Sequence, residues 1–178
     1  MEAVILVALV GFGLIFGSFA NALVWRIHGQ EDLREKIDEL EQKKSSKARD
    51  KKLAELRAEL ETLSMSKGRS MCSHCRHPLA PKDLVPLFSW LSLGGKCRYC
   101  KQKIQDPPLL EAGLPLAFVF SYIFWPMAWS DYGIVAFGFW LVFLVAFAAL
   151  TLYDFRWYIL PDRIVWPLVA LAVVQVAV

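Results

Sequence analysis

The chain has 178 residues, 56% hydrophobic and 13% aromatic, with a formal net charge of +3 and a mean hydropathy of +0.40. Its charged residues, 21% of the total, are concentrated in one part of the chain and leave long stretches with none, which excludes an ordinary soluble domain. Asp, Glu, Lys and Arg are absent from residues 3–25, 112–129 and 132–153, stretches of 23, 18 and 22 residues. A helix needs about 17 to 25 residues to cross a hydrocarbon core. A fourth uncharged stretch, 164–178, has 15 residues.

In chain order, residues 1–26 are predicted to form a first transmembrane helix. Ala20-Asn21-Ala22 looks like a signal-peptide cleavage site, but the preceding stretch carries Glu2 and no basic residue, and Arg26 lies at its far end. A secretory signal has the opposite polarity. From Arg26 to residue 107 the chain holds 18 of its 20 Lys and Arg residues against 12 acidic ones. The positive-inside rule therefore puts the domain 27–107 in the cytoplasm and the N-terminus outside, and Arg26, Arg98, Lys101 and Lys103 near the membrane ends agree.

Within that domain, residues 31–66 predict two amphipathic helices, with Leu33, Ile37 and Leu40 on one face and Leu53, Leu56, Leu60 and Leu63 on another. The polar run Lys43-Lys44-Ser45-Ser46-Lys47 separates them, giving an antiparallel hairpin or a bent rod. Mixed charge of this kind usually marks a solvated face, so the leucines are expected to pack on each other. The other reading is a surface for docking a partner or lipid headgroups.

All four cysteines fall in two C-x-x-C pairs, Cys72/Cys75 and Cys97/Cys100, separated by 21 residues. Two such pairs complete a tetrahedral sulfur shell suited to zinc, and reduced cytoplasmic thiols disfavour a disulfide. A redox C-x-x-C needs one pair and not two. His74 and His77 are left without a ligand position. The predicted zinc site thus covers 72–100, and with no open position the metal is structural.

Residues 108–178 are expected to return to the membrane, with helices near 109–129 and 132–153 and a shorter one over 163–178. Asp154 stands at the inner end of the second of these. A carboxylate there is either an interfacial charge beside Arg156 or a functional group. Asp162, after Pro161, reads as a helix N-cap. The fold class is accordingly an all-α polytopic membrane protein with a small cytoplasmic zinc-binding domain and a charged helical hairpin insertion.

Several motifs, taken in order, resemble bacterial prepilin peptidases. They are Gly17-Ser18-Phe19 with Asn21 and Arg26, the two cysteine pairs, Pro86-Leu87-Phe88-Ser89-Trp90, Gly94-Gly95-Lys96-Cys97, Pro108-Leu109-Leu110-Glu111, and Asp154 with Leu160-Pro161-Asp162. The resemblance covers nearly the whole chain except the charged hairpin. It implies a multi-pass enzyme of the bacterial cytoplasmic (inner) membrane that cleaves the leader of type IV prepilins and type II secretion pseudopilins and then methylates the new N-terminus. It implies S-adenosylmethionine as methyl donor and Asp154 as one carboxylate of an aspartic protease pair.

The same resemblance points to Gly95 as a determinant of methyl transfer, although a tight turn beside Cys97 explains that glycine equally well. No nucleotide-binding GxGxxG follows a strand, so the donor site is not legible. The second aspartate of such proteases belongs to a GxGD motif, which this sequence does not contain. The expectation is therefore a chain incomplete as a protease, with the missing half absent or supplied in trans, and unable alone to cut a leader. The alternative is a noncatalytic membrane-anchored zinc adapter docking pilus or secretion components. Nucleic acid is not an expected partner, because the basic residues are spread through mixed charge with few aromatics.

Overall fold

The computed structural model describes residues 2–64, 70–72, 74–104 and 108–177, and these are mostly helical. The segment limits expected at residues 1, 66, 107 and 178 lie outside the described residues. Among the described residues there are six α-helices: α1 Glu2–Glu41, α2 Lys47–Thr62, α3 Phe88–Ser92, α4 Leu109–Ile123, α5 Asp131–Trp157 and α6 Asp162–Ala177.

The first finding is the length of α1. One helix of 40 residues passes through the boundary expected at 26/27 and joins the uncharged stretch to the first arm of the charged hairpin. No proline interrupts it, and its buried positions, Leu9, Gly13, Gly17, Ala20, Val24, Ile27, Gln30, Leu33 and Ile37, follow one another at steps of three or four. That spacing keeps a single stripe on one face. Helix α2 runs back along α1: Arg57 pairs with Glu41 at 2.7 Å near the tip, and Gln30 Nε2 donates to the Leu63 carbonyl at 2.8 Å at the base. Ser46 caps α2 by accepting from the Arg49 amide at 3.2 Å.

Helices α4 and α5 pack on the apolar half of α1. Gly13 and Gly17 meet α4 backbone to backbone; a Cβ on Gly17 would lie 2.5 Å from the Leu110 oxygen and 2.7 Å from Glu111 Cα. Small residues four apart permit this approach, and any side chain would force the helices apart. Helix α4 has 15 residues and stops at Ile123, short of the expected 129. Pro126 supplies the reason, since it disfavours helical geometry in the residue before it. The turn that follows is filled by rings: Trp125 and Trp129 lie 4.9 and 5.3 Å from Phe137.

Helix α5 is capped by Ser130, whose hydroxyl accepts from the Gly133 amide at 3.2 Å, and it ends at Tyr158 in left-handed geometry, φ 56°. Asp162 is the first residue of α6 and not its cap; the Pro161 carbonyl accepts from the Ile164 and Val165 amides. Helices α1 and α5 are long and apolar enough to cross a membrane. Two clusters tie the bundle together. Leu9, Leu114, Phe118 and Phe137 form one, and Ala20, Val24, Ile27, Ala149, Tyr153 and Ile164 the other.

Candidate metal centre and adjoining cleft

The two cysteine pairs are built on the same turn. In the first, the Cys72 amide donates to the His77 carbonyl at 3.1 Å and the Arg76 amide to the Cys72 carbonyl at 2.9 Å. In the second, Cys97 donates to Gln102 at 2.9 Å and Lys101 to Cys97 at 3.0 Å. The residue after each pair, Arg76 or Lys101, takes positive φ, 54° and 61°. Isolated bridges Met71–Pro78 and Lys96–Lys103 close the two loops at equivalent positions.

This duplication brings the sulfurs of Cys72, Cys75, Cys97 and Cys100 within 4.8 Å of one another, with Cys72 Sγ 3.8 Å from Cys100 Sγ. The four can hold a metal ion. Tetrahedral thiolates about 2.3 Å from zinc stand about 3.8 Å apart, so the spacing fits a closed sulfur shell. The protons respond to the crowding. Burial raises the Cys97 thiol, yet the Cys100 and Tyr99 amides and the neighbouring thiols outweigh it and hold it at about 7, below the usual 9.0. The Gln102 amide lowers Cys100, but burial and the Cys75, Cys97 and Cys72 sulfurs push it to about 11. A cluster that loses its first proton easily and holds its last is one that a cation would stabilise.

Around the sulfurs, His77 stacks on Tyr99 at 3.7 Å, and Arg98 Nε donates to Asp83 Oδ1 at 2.7 Å. That guanidinium holds the Asp83 carboxyl below the usual carboxylate value. Gly95 is buried at φ 67° beneath the Trp90 ring, which would stand 3.1 Å from an added Cβ. Its positive φ favours glycine, and a side chain there would press on the Trp90 ring. Its carbonyl accepts from the Ile104 amide at 2.7 Å, so it also braces the second pair.

Between this unit and the α1–α2 base lies a cleft of about 680 Å3. Asn21, Trp25 and Arg26 line it from α1, and Trp90, Lys96 and Arg98 from the cysteine-bearing segment. One side is closed by the ion pair between Arg76 and Glu59 at 2.6 Å. Asn21 Oδ1 and Trp90 Nε1 are buried here with no hydrogen-bond partner among the described residues. A buried acceptor and donor left unmatched each cost roughly 1–3 kcal/mol, a cost that a turn of either side chain toward a polar molecule in the cleft would relieve. The volume falls in the range of small-molecule sites.

Asp154 is elsewhere. It is exposed in the last turn of α5 and does not line the cleft. Its neighbours bind α5 to α1: Tyr153 donates to Glu31 Oε2 at 2.5 Å, His28 stacks on Trp157 at 3.9 Å, and the Arg156 guanidinium lies 4.8 Å over Trp25. Arg163 of α6 donates to Gln30 Oε1 at 2.7 Å. Sequence reasoning did not find Trp90 or Asp83 as site residues, nor what Asn21 and Glu111 do. The visible signal was an amide within one uncharged stretch, Asn21, and a carboxylate at the edge of another, Glu111.

The family model "Bacterial Peptidase A24 N-terminal domain" matches residues 11–125. A "Type 4 prepilin-like proteins leader peptide-processing enzyme" of Escherichia coli O78:H11 is 32% identical over 131 residues, 73% of this chain and 44% of that protein. A "Prepilin leader peptidase/N-methyltransferase" of Stutzerimonas stutzeri is 32% identical over 177 residues, 97% of this chain and 54% of its own. One of Pseudomonas aeruginosa is 30% identical over 163 residues, 91% of this chain and 51% of its own. The chain thus spans about half the length of the curated relatives it matches. No solved structure matches it. With the duplicated cysteine turns and the Gly13/Gly17 contact both inside the matched span, the chain belongs to the bacterial peptidase A24 N-terminal domain family.

Proposed function

We propose that this chain takes part in prepilin maturation at the inner membrane, with zinc in the four-cysteine site and the adjoining cleft receiving the methyl donor. The observation that carries the reading is the cleft itself, whose unmatched Asn21 Oδ1 and Trp90 Nε1 lie beside the metal centre. S-adenosylmethionine would supply an electrophilic methyl group. The chain's part is to bind and orient: Asn21 and Trp90 give hydrogen-bonding groups, and the Trp25 and Trp90 rings give stacking surface. Gly95 keeps Trp90 in place. The metal holds the two turns together and takes part in no chemical step.

For leader cleavage, Asp154 is the carboxylate of this chain. Two carboxylates sharing one site divide the roles of acid and base, which one cannot do alone. The second is expected from outside these residues, because the sequence has no GxGD. Substrates are prepilins or pseudopilins.

The test is titration of purified, zinc-loaded chain with S-adenosylmethionine, followed by transfer to a synthetic leaderless pilin N-terminus. Saturable binding weakened by Asn21→Ala supports the reading, whereas no binding with one zinc per chain rejects it. The chain supplied together with a GxGD-bearing half should cleave prepilin, and Asp154→Asn should abolish this. Methyl transfer and cleavage both absent in that mixture would favour the adapter.

A further inference from the structure

The segment between the cysteine pairs carries an apolar surface, Phe88 and Leu91, that lines neither the metal site nor the cleft, whereas Leu84 and Val85 lie at the cleft. In α3, Phe88 and Leu91 are three residues apart and are 71% and 67% exposed; Leu84 and Val85 just before them are exposed as well. Trp90 of the same short helix turns the other way, onto Gly95. The side of α3 that carries Phe88 and Leu91 is therefore separate from the side that builds the site.

Its position along α1 is set by two contacts. The Leu87 amide donates to Glu111 Oε2 at 2.6 Å, and Glu111 lies against Gly17 of α1. Gly17 precedes Trp25, the last residue of the uncharged stretch, by eight positions, roughly 12 Å along a helix. The anchored segment thus stands level with the apolar part of α1 and not beyond its end. Leu109, in the first turn of α4 with Glu111, is also exposed and continues the apolar surface toward the bundle.

Basic residues border this segment. Lys82 and Lys96 are exposed on either side in sequence, followed by Lys101 and Lys103, while Asp83 is engaged by Arg98. Apolar side chains bordered by lysines suit the headgroup and acyl boundary of an anionic bilayer. We propose that Phe88 and Leu91 form an interfacial anchor that seats the cysteine-bearing unit in the bilayer surface. The partner is the lipid of the membrane that α1 crosses, and the inference rests on that crossing.

The experiment uses the full chain in phosphatidylcholine/phosphatidylglycerol vesicles, with the photoreactive residue benzoylphenylalanine placed singly at position 88, 91, 12 or 44. Position 12 reports whether α1 lies in lipid, and position 44 is the solvent control at the hairpin tip. Zinc content confirms that each variant is folded, and adducts are identified by mass spectrometry. Lipid adducts are expected at 88, 91 and 12 and lost at 44. Lipid adducts at 12 without any at 88 or 91 overturn the anchor and leave the membrane reading intact. Adducts at 88 to a second copy of the chain in place of lipid also overturn it. Absence of lipid at 12 removes the crossing and the anchor together.

Discussion

Glu111 Oε2 accepts the Leu87 amide at 2.6 Å across 24 residues of chain, at a point where Leu87 itself has φ 56°. The carboxylate thereby fixes the loop between the cysteine pairs to the first turn of α4. A hydrogen bond to a charged group contributes about 1.5–3 kcal/mol, and the positive φ of Leu87, in a γ-turn closed by the Phe88 amide on the Pro86 carbonyl, adds a cost that the contact must offset. Glu111→Ala should speed hydrogen exchange of the Leu87, Ser89 and Leu91 amides by at least about tenfold, the equivalent of 1.4 kcal/mol. Unchanged exchange would mean that the loop is held by its own turns.

The contact of Gly17 with the Leu110–Glu111 backbone leaves no room for a side chain. Gly17→Leu should lower the melting temperature in detergent by an amount equal to about 1–3 kcal/mol or more, the range for overpacking. Gly11 has nothing near its would-be Cβ, so Gly11→Leu should leave the melting temperature nearly unchanged. Equal effects at both positions would place the α1–α4 contact elsewhere.

Metal analysis should give one zinc per chain. Structural zinc in isolated peptides contributes on the order of 10–16 kcal/mol, more than a unit this small can replace by burial. A strong chelator should therefore unfold residues 70–104, read as loss of amide protection there, while the helicity of α1 and α5 stays. Protection that survives in fully metal-free, reduced protein would make the site a bystander to folding.

Asp83 should titrate below 3.8, because the Arg98 guanidinium donates to it. A carboxyl with a lowered folded value contributes stability that is complete above its unfolded value, near 3.8, and is lost as pH falls through the folded value. Carbon NMR of the Asp83 carboxyl should show its value rise toward 3.8 in Arg98→Met. No movement would mean that another group sets it.

The two helices long and apolar enough to cross a membrane were legible because their signal is compositional: α1 and α5 announce themselves by absence of charge. The four-cysteine cluster was legible because four cysteines in two equal spacings leave few geometries. The continuity of α1 was hidden by the same compositional signal, which changes abruptly at Arg26 although the stripe of buried positions does not. The end of α4 was written in Pro126 and obscured by the uncharged residues around it. The cleft was out of reach, since Asn21 and Trp90 lie 69 positions apart in the chain and come to one cleft only through the tertiary fold. Asp154 was found through resemblance, and its exposure in α5 gives no independent sign of its task.

An unbroken α1 makes the hairpin a lever. From Trp25 to Glu41 the helix projects roughly 24 Å, so a change of about 10° in the tilt of its apolar half would carry the tip roughly 4 Å sideways. Glu59, nearer the base of the returning arm, would pass a smaller part of that displacement to Arg76, its partner beside the cleft. Bilayer thickness, by setting the tilt, would thus be transmitted as a mechanical input to the metal-bearing unit.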